Sequence, residues 1–336
     1  MQASIDLLKN YTREEHIKSL YSDIRRIDHS IKPIYSSNWE DSLWISHNSI
    51  PTIVLSSLID SYYCLPERPD MAFTHLWSAI NNTYNSAFIR KKIATNNHKR
   101  LEENLAILNL VDNIFSMKDE LIGSNFTIIT LVHEYIKLIP NKTLKFITNH
   151  ILKGYASQKS GIPAFLISNS YKGFQRQYPQ IHQSIIDTYG NAYVAVCNPT
   201  IINGRVDLGI SDSAKSKSIP HSLSEKLQEL LINKTVIVSN SANNQSFTLN
   251  INDEELINFA FRTVLYSIRN SSIHGNVVQR LNSEYKNLDS LKASNYIYYL
   301  GHLFLSLGLY INGDIKIQDL EINIENLDKL KDILVS

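Results

Sequence analysis

The chain of 336 residues carries 33 Lys and Arg against 32 Asp and Glu, a formal net charge of +1, with 43% hydrophobic residues. That is enough chain to bury a full core in two domains or one domain with a large insertion. The near-neutral balance excludes a polybasic protein that binds by bulk charge, so any nucleic-acid contact has to be local. Cys64 and Cys197, far apart in sequence, build neither a disulfide framework nor a Cys-x-x-Cys metal knuckle, which points to a reducing compartment.

Met1 to Asn10 lacks the charged and apolar regions of a secretory signal. From Ser4 to Ser30, Ile5, Leu8, Ile17, Leu20, Ile24 and Ile27 recur mostly at three- and four-residue steps, which predicts a helix in an N-terminal extension over 1–65. Pro69 and Asp70 open a helix carrying the stripe Phe73, Leu76, Trp77, Ile80, Tyr84 and Phe88. A second helix is expected from His98 to Met117, with Leu101, Leu105, Leu108 and Val111 facing the core. The apolar region Phe126 to Leu152 should be divided in two by Pro140 and Asn141.

From Gly154 to Asn250 short apolar runs, Ala192 to Val196 and Thr235 to Val238 among them, alternate with Gly, Pro, Asn and Ser, and the polar stretch Ser211 to Ser222 reads as a mobile surface loop. Asn252 with Glu255 forms a capping box ahead of Leu256, Phe259, Ala260, Val264 and Ile268, a helix expected to end near Arg269. Another helix, from about Asp289 to Tyr310, turns Leu291, Tyr298, Leu300, Phe304 and Leu307 inward. Its stretch Tyr296 to Ile311 is shorter than the roughly 20 residues of a membrane span and reads as a buried helix. Ile315 to Ile324 alternates like a strand, and Asn326 is placed to cap a last helix through Leu334.

One segment concentrates chemistry: Arg269-Asn270-Ser271-Ser272-Ile273-His274-Gly275-Asn276. Five positions on an ideal helix turn about 500°, leaving Arg269 and His274 roughly 140° apart, so they converge only where the helix loosens. Ser271 and Ser272 compete for backbone hydrogen bonds, and Gly275-Asn276 is a helix stop. Arg offers a permanent planar fork to phosphate oxygens, and His alone titrates near neutrality. Those are the two groups a metal-free RNA phosphodiesterase needs. A structural reading stands beside this one, because the macrodipole favours Arg and His at a helix C-terminus without any catalysis.

This string resembles the Arg-Asn-x-x-x-His signature of the HEPN superfamily of small helical domains. The helix Ala72 to Phe88 resembles the earlier helix of many HEPN proteins, with an aromatic residue, Leu76-Trp77, small residues and Asn81-x-x-Tyr84. The resemblance covers about 110 residues, roughly Pro69 to Met117 and Asn252 to Gly313. It implies a mainly α protein, a HEPN-like helical bundle with an N-terminal helical extension and a mixed α+β insert. The bundle would be split into 66–153 and 252–313, with the insert at 154–251 and a strand and helix tail at 314–336. A minimal HEPN domain lacks such an insert, so substrate selection by the remainder is not carried over.

Many HEPN proteins are metal-independent endoribonucleases of toxin-antitoxin, abortive-infection and CRISPR-linked defence systems, and some are silent modules that bind RNA, nucleotides or partner proteins. Carried over by residue, the resemblance makes Arg269 the phosphate-holding group, His274 the general acid/base and Asn270 the residue that orients phosphate or imidazole. It also implies RNA as substrate, a homodimer bringing two Arg/His sets together, an antitoxin or defence partner, no cofactor or metal, and a cytoplasmic location away from membranes.

Weaker candidates are Arg90, Lys91, Lys92, Lys99 and Arg100, which bracket the end of the Trp77 helix and suit RNA phosphates, although a solvated basic helix end is the more frequent role of such residues. His75, two residues from Trp77, is placed to line the same cleft or to sit half-buried and hydrogen-bonded. His133-Glu134 lacks the second histidine of a zincin helix, and Asp207 with Asp212 has a spacing common in turns. Dinucleotide, P-loop and serine-hydrolase motifs have no match.

Overall fold

The computed structural model describes residues 12–21, 31–40, 50–97, 100, 102–240, 245–273 and 287–335. Within them the chain is mainly helical. In chain order, α1 (Arg13–Leu20), α2 (Ile50–Tyr63), α3 (Pro69–Ala94) and α4 (Glu103–Ser116) precede the hairpin β1 (Leu121–Ile122) and β2 (Phe126–Thr127), then α5 (Ile128–Lys137). There follow α6 (Asn141–Lys159), α7 (Asn169–Gln177), α8 (Pro179–Ile185), α9 (Asn191–Val194) and the hairpin β3 (Thr200–Ile202) and β4 (Arg205–Asp207). Next come α10 (Ser213–Asn233), the hairpin β5 (Thr235–Asn240) and β6 (Gln245–Asn250), and α11 (Asp253–Asn258). A π-helical stretch, Phe259–Tyr266, leads into α12 (Ser267–Ile273), and α13 (Leu288–Ile311) and α14 (Ile322–Val335) complete the chain.

Two compact units result, one from Met1–Pro140 with Ile268–Ser336, the other from Asn141–Ser267. In the first unit α3, opened by Pro69 at its first turn, packs against α2, α4 and α13. Helix α13 is buried on every side from Ser290 to Leu309, the condition of a helix that is apolar all round, and no described helix is long and apolar enough to cross a membrane. Close approach of α3 to α13 depends on two glycines. A Cβ at Gly308 would stand 2.8 Å from Thr83 Cγ2, and one at Gly301 would stand 3.1 Å from Phe73 and Leu76.

Several sequence expectations change here. The α4 core face is Ala106, Ile107, Leu110, Val111 and Ile114, while Leu105 is 44% exposed; Leu101 lies outside the described residues. Of the helix read over Ser4 to Ser30, the described part is α1, and α2, within the segment read as an extension, packs against α3. The tail is a 3-10 turn, Ile317–Glu321, and then helix, not a strand. Its inward line is Leu320, Asn323, Leu327, Leu330 and Ile333, and the polar Asn323 hides that helical period from a hydropathy reading. Asn326 caps nothing. Its amide brackets the Lys32 backbone, accepting from the N–H at 2.8 Å and donating to the carbonyl at 3.0 Å.

The second unit is wider than the 154–251 segment read as an insert, because α6 packs against α10 and so belongs with it. Pro140 and Asn141 do separate α5 from α6. The stretch Ser211 to Ser222 is not a loop: the Asp212 carboxylate accepts from the Ala214 and Lys215 N–H groups at 3.1 and 3.0 Å and starts α10. Lys234, left-handed at φ 59°, ends that helix and turns the chain into β5. Strands β5 and β6 pair antiparallel with Val236 opposite Leu249, and both side chains are buried. Asn252 and Glu255 form the expected capping box, and helical structure continues past Arg269 to Ile273.

A buried polar chain crosses the first unit. The Ile34 N–H donates to Tyr62 Oη at 2.9 Å, and the Tyr62 hydroxyl is hydrogen-bonded to His302 Nε2 at 2.9 Å. Burial holds the His302 pKa down at about 4. Between about pH 6.5 and 4 the unfolded chain therefore binds more protons at this position than the native one, and stability falls as pH is lowered through that window. Trp39 and Trp77 belong to the first unit, and residues 141–267 contain no tryptophan. Urea unfolding followed by tryptophan emission should therefore show this unit losing roughly 2 kcal/mol between pH 7 and pH 5 through His302, and His302→Gln should flatten that part of the dependence. At the helix contact, Gly308→Ala gains about 1 kcal/mol of helix propensity against an overpacking cost of about 1–3 kcal/mol. We expect a net loss of thermal stability there, and a net gain for Gly173→Ala on α7, where a Cβ meets nothing within 4 Å.

Candidate functional site

Ile268, 3% exposed, anchors α12 in the core, and the next residue, Arg269, leaves that face with a side chain 20% exposed. Its guanidinium carbon lies 5.9 Å from the Trp77 ring centroid, within cation–π range. One terminal nitrogen, Nη1, donates to Asn270 Oδ1 at 2.8 Å, and the other, Nη2, stands 3.7 Å from Glu103 Oε1. The latter is a Coulombic contact, too long for a hydrogen bond. Tyr84 joins from α3, its hydroxyl donating to the same Glu103 oxygen at 3.0 Å.

Three elements of the first unit thus converge on one guanidinium. Trp77 and Tyr84 are two turns apart on one face of α3, with ring centroids 6.4 Å apart. Glu103 is the first residue of α4, where the helix dipole favours a carboxylate. The site holds a permanent cation, a buried aromatic wall and the Glu103 carboxylate. A partly exposed ion pair of this kind is worth only about 0–1 kcal/mol, so Glu103 by itself holds the guanidinium weakly.

Of the residues expected at the site, Arg269 and Asn270 are adjacent and bonded to each other. His274 lies outside the described residues, and helical backbone reaches the position before it, so Ser271 and Ser272 do not end the helix. Arg90, Lys91 and Arg100 are exposed at the ends of α3 and α4, with Lys91 Nζ donating to Asn109 Oδ1 at 2.7 Å. Lys92 is only 8% exposed, its ammonium 5.3 Å from the Phe88 ring and 3.5 Å from the Arg100 carbonyl. It is drawn into the helix contact and is not available to grip a phosphate. His98 and Lys99 lie outside the described residues. His75, half-buried, sits two positions from Trp77, about 200° round the helix, and does not join the site.

The residue that sequence reasoning missed is Glu103. Its one local signal is a carboxylate in the first turn of a helix, and nothing local ties it to Arg269. Asp207 and Asp212 serve local structure, accepting from the Gly209 N–H and capping α10. Among the described residues no three His, Cys, Asp or Glu side chains gather as a metal site requires.

If Glu103 occupies the seat of an anion, Glu103→Gln leaves the charge of Arg269 available to one. Inorganic phosphate should then raise the melting temperature of Glu103→Gln more than that of the wild type, with affinity improved about two- to fivefold, the equivalent of up to about 1 kcal/mol. Equal phosphate shifts for both proteins would show that Glu103 does not compete for the site.

Compared with known proteins, the chain matches no family model and resembles no curated protein and no solved structure, so the Arg269 motif and its surroundings carry the functional reading by themselves.

Proposed function

We propose that this chain is a metal-independent endoribonuclease of the HEPN type. The observation that supports it is the convergence of Trp77, Glu103 and Asn270 on Arg269, in a helical unit, at the arginine of the Arg-Asn-x-x-x-His string. In the proposed reaction the ribose 2′-oxygen loses its proton to a general base and attacks the adjacent phosphorus. The new 2′-O–P bond forms as the P–O5′ bond breaks, and the departing 5′-oxygen takes a proton from a general acid.

His274 supplies the acid/base function, each proton transfer being worth roughly 100- to 10,000-fold. Arg269 binds two nonbridging oxygens through its fork and stabilises the charge that grows on them. Asn270 holds the fork in orientation, and Trp77 limits the guanidinium to one approach. One imidazole does not serve as base and acid at the same instant, so two copies of the chain act together. The cellular setting that fits such an enzyme is toxin-antitoxin or anti-phage defence, with a partner protein restraining it.

The test is cleavage of end-labelled RNA with EDTA present by the wild type, His274→Ala and Arg269→Ala, with product ends identified. Each substitution should lower the rate at least about 100-fold while helicity and oligomeric state stay unchanged, and wild-type products should end in cyclic or 3′-phosphate. Cleavage by His274→Ala at the wild-type rate would overturn the assignment. Tight RNA binding without cleavage by any of the three would favour a silent binding module.

A further inference from the structure

Charge is divided unevenly along the chain. Residues 141–267 contain twelve Lys and Arg against eight Asp and Glu, a net +4, whereas the remainder is net −3. Within the second unit the first 46 residues, Asn141 to Ile186, hold six cations and no carboxylate at all.

Helix α6 arranges part of this charge on one face. Leu144, Ile147 and Ile151 are buried on one side, and positions 142, 145, 149 and 153 fall within an arc of about 80° on the other, with the buried Leu152 at its edge. That arc reads Lys142, Lys145, Asn149, Lys153, with Lys153 exposed and the other three half-buried. Its length, about 16 Å along the axis, suits a few nucleotides of extended strand. Phe146 lies beside the stripe, half-buried, with its ring centroid 4.5 Å from that of His150. The two line a shallow cleft with Ser170, Phe174, Thr263 and Ser267. Arg176 stands exposed on α7, which packs against α6.

We propose that this face of α6 is an RNA-binding surface, in which Lys142, Lys145 and Lys153 track the phosphates of a single strand and Phe146 stacks on a base. The inference rests on the RNA reading of the preceding subsection and adds to it the part of the chain that grips the substrate. Cations with an aromatic side chain among them are the composition of single-strand binders, where stacking tolerates any base. A membrane surface is the poorer fit, because the apolar face of α6 is already buried in its own unit and has nothing to insert.

Binding is measured by fluorescence anisotropy of a labelled single-stranded 20-mer RNA, in the full chain carrying His274→Ala so that turnover does not intrude. In that background Lys142→Glu, Lys145→Glu and Lys153→Glu together should weaken binding by about tenfold or more and make the slope of log affinity against log salt shallower by about 2. The same charge change on α10, Lys215→Glu, Lys217→Glu and Lys226→Glu, should weaken it by less than about threefold. Phe146→Ala should weaken binding several-fold at an unchanged salt slope, the signature of lost stacking.

Circular dichroism checks that each variant is folded. Unchanged affinity in the α6 triple variant, an equal loss in the α10 variant, absence of RNA binding, or preferential binding to phosphatidylserine vesicles would each overturn the proposal. Binding and cleavage are read separately, so a protein that binds through α6 without cutting sinks the nuclease reading alone.

Discussion

The packing of α3 against α13 is the constraint on which the first unit depends. Gly301 and Gly308 lie two turns apart on α13 and leave room for Phe73, Leu76 and Thr83, so that two long helices run in contact without side chains holding them apart. Asn312 adds a hydrogen bond at the end of α13, donating to the Thr83 carbonyl at 3.1 Å. Once α3 is fixed in this way, the positions of Trp77 and Tyr84 follow, since both belong to its face, and through them the seat of Arg269 and Glu103. The Arg269 guanidinium is only partly exposed, and its placement depends on glycines in the core.

Three contacts of modest strength meet at Arg269. The aromatic face and the carboxylate beyond hydrogen-bond distance each hold the guanidinium by about a kcal/mol, and the neighbouring amide by about 1.5–3 kcal/mol. A fork bound more firmly, for example in a bidentate carboxylate pair, would be poorly available to a phosphate. Weak restraint keeps the geometry and leaves the charge exchangeable.

How much of this was legible in the sequence depended on whether the governing interaction is local. Pro69 and the Asn252–Glu255 box are written within a few residues, and both helices start where those residues say. The burial of α13 on all sides from Ala293 to Leu309 follows from its largely apolar composition. Where a polar residue does a buried or capping duty the reading failed: Asp212 starts a helix inside a stretch that looks like a loop, and Asn323 and Asn326, both fully buried, disguise α14. Lys92 looked like part of a basic cluster because sequence does not show that its ammonium turns back onto Phe88. The pairing of Glu103 with Arg269 joins distant parts of the chain and has no signature at either end.

The π-helical stretch Phe259–Tyr266 has a further consequence for Arg269. Each π turn takes in one residue more than an α turn, so the stretch works as a phase adjuster between the Asn252 cap and the residues that follow. One residue of α-helix corresponds to about 100° of rotation. Were the stretch rewound as ordinary α-helix with its residue count unchanged, Arg269 would swing by about a quarter-turn or more away from Trp77 with every side chain of the cluster still present. The angular setting of the site is therefore stored in how this segment is wound, and its winding should be as closely constrained as the identity of the arginine.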